Sequence, residues 1–370
     1  MTGGPRIVVD ARMATDGGIG TYLQQLVPRI AGLRPDWRFT VIGDIRKMRA
    51  LHWDEIASFD LVNSRARIFS VREQIELAAI ATRGADLFWS PNYDIPLLGR
   101  TPLVVTVHDV NHLALPELMG GRLRRWYARW MLTTAVRRAR RVLYDSEFTR
   151  QEAIRLIGDG SSAGTVVRLG VDESWFDARA HAPEPPVAEP YFLYVGNIKR
   201  HKNVPFLLRA FERVMHRLPH RLVLIGRTGG LRADPSVSST LERLGDRAVM
   251  LGETDARTLS SYVVHAYMLV TASLYEGFGL PALEAMAAGT PCLVSRAGSL
   301  PEICGDAALY GDPTDEEAFA ARLLETATNR ELRDGLVESG RRHAARFTWS
   351  RSAEQTAAVL DAALKQRTGA

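Results

Sequence analysis

Cysteine is scarce: Cys292 and Cys304 are the only two in 370 residues. That excludes a disulfide framework, and both thiols fit buried positions in a protein of a reducing compartment. No apolar run reaches the roughly 18 to 20 residues that a membrane-crossing helix needs. The opening Met1-Thr2-Gly3-Gly4-Pro5-Arg6 leads directly into a strand pattern and lacks the apolar core of a signal peptide. A cytoplasmic setting is therefore expected. Charge of one sign is modest too, with a net +5. That permits contact with phosphates or anionic lipid without demanding nucleic acid. Zinc-ligand spacing, an RNP-like aromatic strand and a helix-turn-helix pattern are all absent. So is the Gly-x-Gly-x-x-Gly fingerprint with its later acidic residue, which removes the dinucleotide-dependent dehydrogenases.

What is present is ordinary in amount and informative in order. The 46% hydrophobic and 24% charged content suits a globular protein, and 370 residues exceed what one core sustains. Short β-branched runs alternate with helical spacing, which predicts βαβ units and parallel sheets. Strands are expected at 6–10, 39–43, 87–89, 103–107 and 141–145. Gly17-Gly18-Ile19-Gly20 reads as a glycine turn ahead of a helix over 21–32. Residues 181–190 then carry four prolines, which predicts an extended linker. The alternation restarts with strands at 191–196, 221–226, 248–251 and 267–271, and helices over 205–218 and 258–266. An amphipathic helix over 351–365 closes the chain. The expected division is an N-terminal domain over 1–180, the linker over 181–190, a second domain over 191–348 and a terminal helix over 349–370. Ligands of open α/β sheets bind beyond the carboxyl ends of the strands, so the cleft between the domains is the expected site.

Residues 273–291, Ser-Leu-Tyr-Glu-Gly-Phe-Gly-Leu-Pro-Ala-Leu-Glu-Ala-Met-Ala-Ala-Gly-Thr-Pro, carry the most chemistry. Glu276 and Glu284 stand eight positions apart around a glycine-rich turn that opens a helix. Pro281 has its fixed φ where a first helical residue uses it, and Gly289 sits where the helix should stop. The amides of Gly279, Leu280 and the first turn lack intrahelical acceptors, and such an end attracts phosphate. A phosphate-seeking helix end flanked by two hydroxyl-seeking carboxylates is what a sugar nucleotide needs. Upstream, Gly196-Asn197-Ile198-Lys199-Arg200-His201-Lys202-Asn203 puts three cations just past a strand. His108 follows a fully apolar strand beside Asp109.

This pattern resembles the Glu-x7-Glu signature of the retaining glycosyltransferases of family GT4. The likeness covers Glu276-Gly277-Phe278-Gly279, Pro281, Glu284-Ala285, Gly289 and Pro291, then Ser299-Leu300-Pro301-Glu302 and Gly305-Asp306-Ala307-Ala308. The resemblance implies the GT-B fold, two Rossmann-like doubly wound parallel-sheet domains facing across a deep cleft, the N-terminal one for the acceptor and the second for the nucleotide-sugar donor, with the C-terminal helix crossing back to the N-domain. It implies a nucleoside diphosphate sugar donor, retention at the anomeric carbon and no cofactor. No Asp-x-Asp pair follows a strand, in keeping with a metal-free mechanism. Carried over by position, Glu276 and His108 serve the transferred sugar, and Glu284 holds the ribose hydroxyls. Gly17, Gly18 and Gly20 form the N-domain glycine loop. Asn197, Lys199, Arg200 and Lys202 form the phosphate element, with Asn197 standing where many relatives have arginine. Gly226, Arg227, Gly252 and Glu253 border the base, and Gly277, Phe278, Gly279 and Leu280 line the helix mouth.

The Gly-Asn-Ile-Lys run, the Ser-Leu-Pro-Glu stretch and the Val-His-Asp-Val strand end look most like mannosyltransferases of polysaccharide and O-antigen assembly. GDP-mannose is the favoured donor. A UDP-sugar or a deoxyhexose donor such as GDP-rhamnose stays open, as do a sugar-nucleotide epimerase and a non-catalytic sugar-nucleotide-binding subunit. The acceptor expected is a glycan or a polyprenyl-linked lipid. Residues 122–141 interleave eight arginines with Trp126, Tyr127 and Trp130. That pattern suits a basic amphipathic helix at the inner membrane face and equally an ordinary domain helix with its arginines reaching for water.

Overall fold

A computed structural model describes residues 4–66, 70–81, 84–118, 121–158, 164–182, 184–227 and 235–366. The side chains of 118, 124, 235 and 236 lie outside that description, as does Pro183 of the expected linker. The chain divides into two compact units, one of Met1–Gly170 with Trp349–Ala370 and one of Val171–Thr348.

The first unit carries seven parallel strands: β1 (Arg6–Asp10), β2 (Arg38–Gly43), β3 (Phe59–Asn63), β4 (Leu87–Ser90), β5 (Leu103–Val107), β6 (Arg141–Tyr144) and β7 (Thr165–Val166). Their order is β3-β2-β1-β4-β5-β6-β7, so chain direction along the sheet reverses between β1 and β4. Apolar runs such as Leu-Val-Val-Thr-Val in β5 are buried along their whole length. Strands covered on both faces by helices require this. The unit's helices are α1 (Gly17–Leu33), α2 (Ile45–Ala50), α3 (Val71–Ala81), α4 (Asn111–Ala114), α5 (Arg122–Arg138) and α6 (Glu147–Ile157).

The second unit adds α7 (Ser174–His181), then six parallel strands: β8 (Tyr191–Val195), β9 (Arg221–Ile225), β10 (Ala248–Gly252), β11 (Met268–Thr271), β12 (Cys292–Ser295) and β13 (Leu309–Gly311). Its order, β10-β9-β8-β11-β12-β13, reverses between β8 and β11. Its helices are α8 (Val204–Glu212), α9 (Pro235–Leu244), α10 (Ala256–His265), α11 (Leu280–Ala287), α12 (Leu300–Cys304), α13 (Glu316–Thr328) and α14 (Arg330–Ala344). One face of the sheet packs Phe192, Phe211, Leu224, Val270 and Phe319 into a fully buried cluster. Each such side chain stabilises the fold by about 1.5–3 kcal/mol. Finally α15 (Trp349–Lys365) buries Trp349, Ala353, Thr356, Leu360 and Ala363, one helical stripe, and packs on α1 in the first unit. Arg140 Nη1 donates to its Ala363 carbonyl at 2.9 Å.

Three local expectations need correction. Gly17 to Gly20 are not a turn ahead of the helix but the start of α1 itself: Gly20 N donates to the Asp16 carbonyl, while Gly17 keeps a left-handed φ of +53°. Gly20 suits that place because a Cβ there would lie 3.0 Å from the Ala14 carbonyl oxygen. The unit boundary falls at 170/171 rather than 180, since α7 packs against α10 and α11 of the second unit. The helix expected over 205–218 ends at Glu212, and one 3-10 turn (Met215–Arg217) leads into Leu218-Pro219.

Candidate active site

In the second unit the loops after β8 and β11 meet where the strand order reverses, the position at which open α/β sheets bind ligands. The β8 loop turns once as a 3-10 helix over Arg200–Lys202 and passes Asn203 in the left-handed conformation. Asn203 Nδ2 anchors it to the Pro313 carbonyl. His201 accepts from Leu274 N at 2.8 Å, which ties this loop to the β11 loop. Lys202 Nζ then donates to both oxygens of Glu276, at 2.7 and 2.6 Å. Ser273 Oγ donates to Glu276 Oε1 at 2.7 Å and is held in turn by Thr271 Oγ1 at 3.0 Å. Both charged side chains keep some access to solvent, 21% for Lys202 and 15% for Glu276. The site therefore presents a neutralised carboxylate with a cation able to change partners. Lys199 and Arg200 are exposed and have no ion-pair partner among the described residues.

Behind Glu276 the backbone is packed too closely for side chains. Gly298, at φ +62°, leaves no room for a Cβ, which would lie 2.6 Å from Glu276 N. Ser299 N donates to the Glu276 carbonyl at 3.0 Å, so the Ser-Leu-Pro-Glu stretch backs the Glu276 loop. Gly279, at φ +102°, caps α11, which begins at Leu280 with Pro281 in its first turn. The helix ends in a Schellman motif: Gly289 N donates to the Met286 carbonyl and Thr290 N to the Ala285 carbonyl. Gly277 and Leu280 frame the mouth of α11, whose N-terminal amides face an anion favourably. Phe278 is turned inward against Phe347, so only its backbone is left for a ligand.

Glu284, on α11, is half-buried, and its pKa is pushed up to about 7. Burial is the main cause and the negative charge of Asp172 adds to it, while a hydrogen bond from the Trp175 side chain opposes both. At the β9 and β10 ends, Gly226 could be nothing but glycine: a Cβ would lie 1.9 Å from the Gly196 carbonyl oxygen. Gly226 N donates to the Gly252 carbonyl, and Ile198 N, next to Asn197, donates to the Arg227 carbonyl. Arg227 and Glu253 form an exposed ion pair at 2.9 Å.

The first unit gives His108 two partners. Nε2 lies 2.7 Å from the Pro91 carbonyl, which can only accept, so that nitrogen carries a proton. Nδ1 lies 2.7 Å from Asp145 Oδ2. Burial, the largest single effect, lowers the pKa, but Asp145, the Pro91 carbonyl and Asp109 together raise it and the net shift is upward, which favours the imidazolium. A sugar hydroxyl therefore reaches Nε2 only by displacing the Pro91 carbonyl. Asp109 Oδ1 accepts from Asn111 N, an Asx turn that opens α4. Gly17 and Gly18 are exposed at the start of α1. On α5, Leu123, Trp126 and Trp130 are 79%, 63% and 39% exposed, at helical spacing, and the two indoles stack at 8°.

Sequence reasoning missed the partners more than the principals. Ser273 and Thr271 beneath Glu276, Asp172 and Trp175 beside Glu284, and Asp145 behind His108 are supporting groups of common residue types. Asp145 alone left a signal, an acidic residue closing an apolar strand.

Two family models match the chain, "Glycosyltransferase Family 4" over residues 16–175 and "Glycosyl transferases group 1" over residues 177–343. The chain is 30% identical over 315 residues to O-antigen chain mannosyltransferase B of Escherichia coli, which spans 81% of this chain and 78% of that protein. It is 32% identical over 284 residues to MMP alpha-(1->4)-mannosyltransferase of Mycolicibacterium hassiacum, spanning 71% of this chain and 66% of that one. Among solved structures, sucrose-phosphate synthase from Thermosynechococcus elongatus superposes with a TM-score of 0.77 at 21% identity, over 98% of this chain and 100% of that one. Anabaena HepE in complex with UDP and glucose does so with 0.76 at 19%, over 97% and 100%. These structural likenesses establish the GT-B fold. With Glu276, Glu284 and Lys202 arranged as described, the chain belongs to the family 4 glycosyltransferases.

Proposed function

We propose that this glycosyltransferase moves mannose from GDP-mannose to a glycan or polyprenyl-linked acceptor, with retention and without a metal ion. The observation that carries the donor site is the Lys202–Glu276–Ser273 group at the mouth of α11. A lone carboxylate beside a diphosphate would repel it by about 4 kcal/mol per charge pair at 4 Å and an effective dielectric near 20. Lys202 offsets that repulsion, because its charge stays beside both groups when the phosphates take its hydrogen bonds from Glu276. The donor phosphates then take Lys202, with Lys199 and Arg200 as exposed cations near the same strand end. The helix amides of α11 contribute to the same charge.

In the transfer the bond between the anomeric carbon and the phosphate oxygen breaks, and the acceptor oxygen bonds to the same face. The acceptor proton passes to the departing phosphate oxygen, so no separate base is needed. Glu276, released from Lys202, binds sugar hydroxyls and supports the positive charge at the anomeric carbon. Ionised Glu284 accepts from the ribose hydroxyls. Mannose is favoured by the names of the curated relatives and by the Gly-Asn-Ile-Lys run. Peripheral binding at the inner membrane face is supported by α5, which has no acidic residue and exposes Trp126 and Trp130. Among the described residues no helix is long and apolar enough to cross a membrane.

The test is a melting-point panel of GDP-, UDP-, ADP- and dTDP-sugars against the purified protein. A ligand at about 100 times its Kd stabilises by about 2.7 kcal/mol, a readily measured shift. A selective response to GDP-mannose, followed by an α-configured product, supports the reading. A selective response to another nucleotide overturns the donor. Release of free sugar or an epimer without acceptor overturns the transferase.

A further inference from the structure

The first unit has its own reversal of strand order, between β1 and β4, and a small cavity lies at the carboxyl ends of those two strands. Asp10 is the last residue of β1, while Asn92 and Asp94 follow β4. All three line the cavity, with Ile19 and Leu23 of α1, Met13 and Pro91 completing the wall. The free space is about 10 Å3, enough for one water-sized group.

The polar lining is unequal. Both Asp10 oxygens are held by Arg12, at 2.8 Å from Nε and 2.6 Å from Nη2. Arg12 Nη2 also reaches Glu73 Oε1 at 2.6 Å. Asp94 is 2% exposed, and its Oδ2 accepts from Asn92 Nδ2 at 3.1 Å. Its Oδ1 is buried and has no hydrogen-bond partner among the described residues. A buried polar atom left in that state costs roughly 1–3 kcal/mol, so a hydrogen-bonding group there stabilises the site. Asp94 holds its proton far above the usual carboxylate range, because burial and the nearby Glu73 and Asp10 charges disfavour ionisation. A neutral carboxyl beside an arginine-paired carboxylate has no use for an ammonium ion or a metal. A neutral group that accepts one hydrogen bond fits, and the cavity admits only one.

We propose that this cavity is a socket for a single hydroxyl of the acceptor sugar, with Asp94 as the specificity-determining residue. The assignment rests on the glycosyl-transfer reading, and it places acceptor selection at the strand reversal of the first unit. Asp94 Oδ1–H donates to the sugar oxygen, and the apolar wall of Ile19 and Leu23 excludes larger substituents. A sugar lacking that hydroxyl leaves Asp94 unsatisfied and binds more weakly.

The experiment measures binding of methyl α-D-mannopyranoside and its 2-, 3-, 4- and 6-deoxy analogues to GDP-saturated protein by calorimetry. Wild-type protein is expected to lose about tenfold in affinity for one deoxy analogue and little for the others. Asp94→Leu should lose about tenfold for the parent sugar yet bind that one analogue as wild type does. Asp94→Asn, which keeps a donor of the same shape, should stay within about threefold of wild type and keeps the test open if the leucine variant does not fold. Equal binding of the parent sugar by wild type and Asp94→Leu, uniform losses across the analogues, or no binding by wild type overturns the socket. A lowered melting point in Asp94→Leu with unchanged sugar affinity means a structural water only, and also overturns it. GDP-induced stabilisation separates the two readings: if it is absent in wild type, the GDP-mannose donor reading fails first.

Discussion

Glu284→Gln tests the least ordinary electrostatic feature of the second unit. In the unfolded chain Glu284 ionises near 4.5, and in the folded protein near 7, mainly because burial strips water from the carboxylate. The folded state therefore holds the proton more tightly. The associated stability is fully present below about 4.5 and is lost as pH rises through 7. Moving a pKa by that amount makes ionisation in the folded protein about 3 kcal/mol harder, and solvent access to the half-buried side chain trims this to about 2 kcal/mol. The glutamine variant carries no charge and escapes the penalty. Urea unfolding of wild type and variant from pH 5 to pH 8 should show the variant gaining about 2 kcal/mol relative to wild type across that range. Trp175 is the sole tryptophan between Val171 and Thr348 and it bonds to Glu284, so its fluorescence reports on this unit. Donor binding should move the opposite way, strengthening up to about pH 7 as the carboxylate that accepts the ribose hydroxyls ionises. Parallel stability curves for the two proteins would refute the argument, because they would mean Glu284 is already ionised at pH 5.

Lys202→Met leaves Glu276 without its cation and should weaken GDP binding at least tenfold by calorimetry, with a melting point several degrees lower. Glu276→Gln should keep GDP binding within a few-fold while transfer falls by a hundredfold or more, and wild-type turnover would remove Glu276 from the mechanism. Gly226→Ala should cost at least about 3 kcal/mol in chemical denaturation, since its Cβ would overlap the Gly196 carbonyl. Gly18→Ala, in open space on the first turn of α1, should instead stabilise by about 0.5–1 kcal/mol, and a loss would argue against a helix there. Replacing Trp126 and Trp130 together by serine should cut cosedimentation with phosphatidylglycerol vesicles severalfold at unchanged melting point, whereas an unchanged bound fraction would make α5 an ordinary surface helix.

The sequence was legible wherever a physical requirement leaves one residue type. Gly279 and Gly289 announce the two ends of α11 because only glycine takes those backbone angles cheaply. Strands such as β5 and β9 announce themselves because burial on both faces favours a near-continuous run of branched apolar side chains. Shorter or less apolar strands, β3 and β13 among them, escaped, since three to five half-buried residues resemble any loop. The site was legible by the same rule: Glu276 and Lys202 stand at strand ends in patterns with few alternative uses. Their supports were not, because serine and threonine beneath a carboxylate look like serine and threonine anywhere.

What no local pattern could carry is the correspondence between the two units. Each sheet reverses its strand order after its first three strands, at β1 and β4 in one and at β8 and β11 in the other. In the second unit the loops leaving that point bring Lys202 to Glu276. In the first they bring Asp10 to Asp94. The equivalent position thus holds the Lys202–Glu276 pair in the second unit, and in the first a neutral Asp94 beside an Asp10 that is already paired with Arg12. A cation that can change partners suits an anionic diphosphate, and a buried neutral carboxyl suits an uncharged hydroxyl. On the glycosyl-transfer reading proposed above, the same topology divides donor and acceptor binding by charge, and that division follows from which side chains close β1, β4, β8 and β11 and their loops.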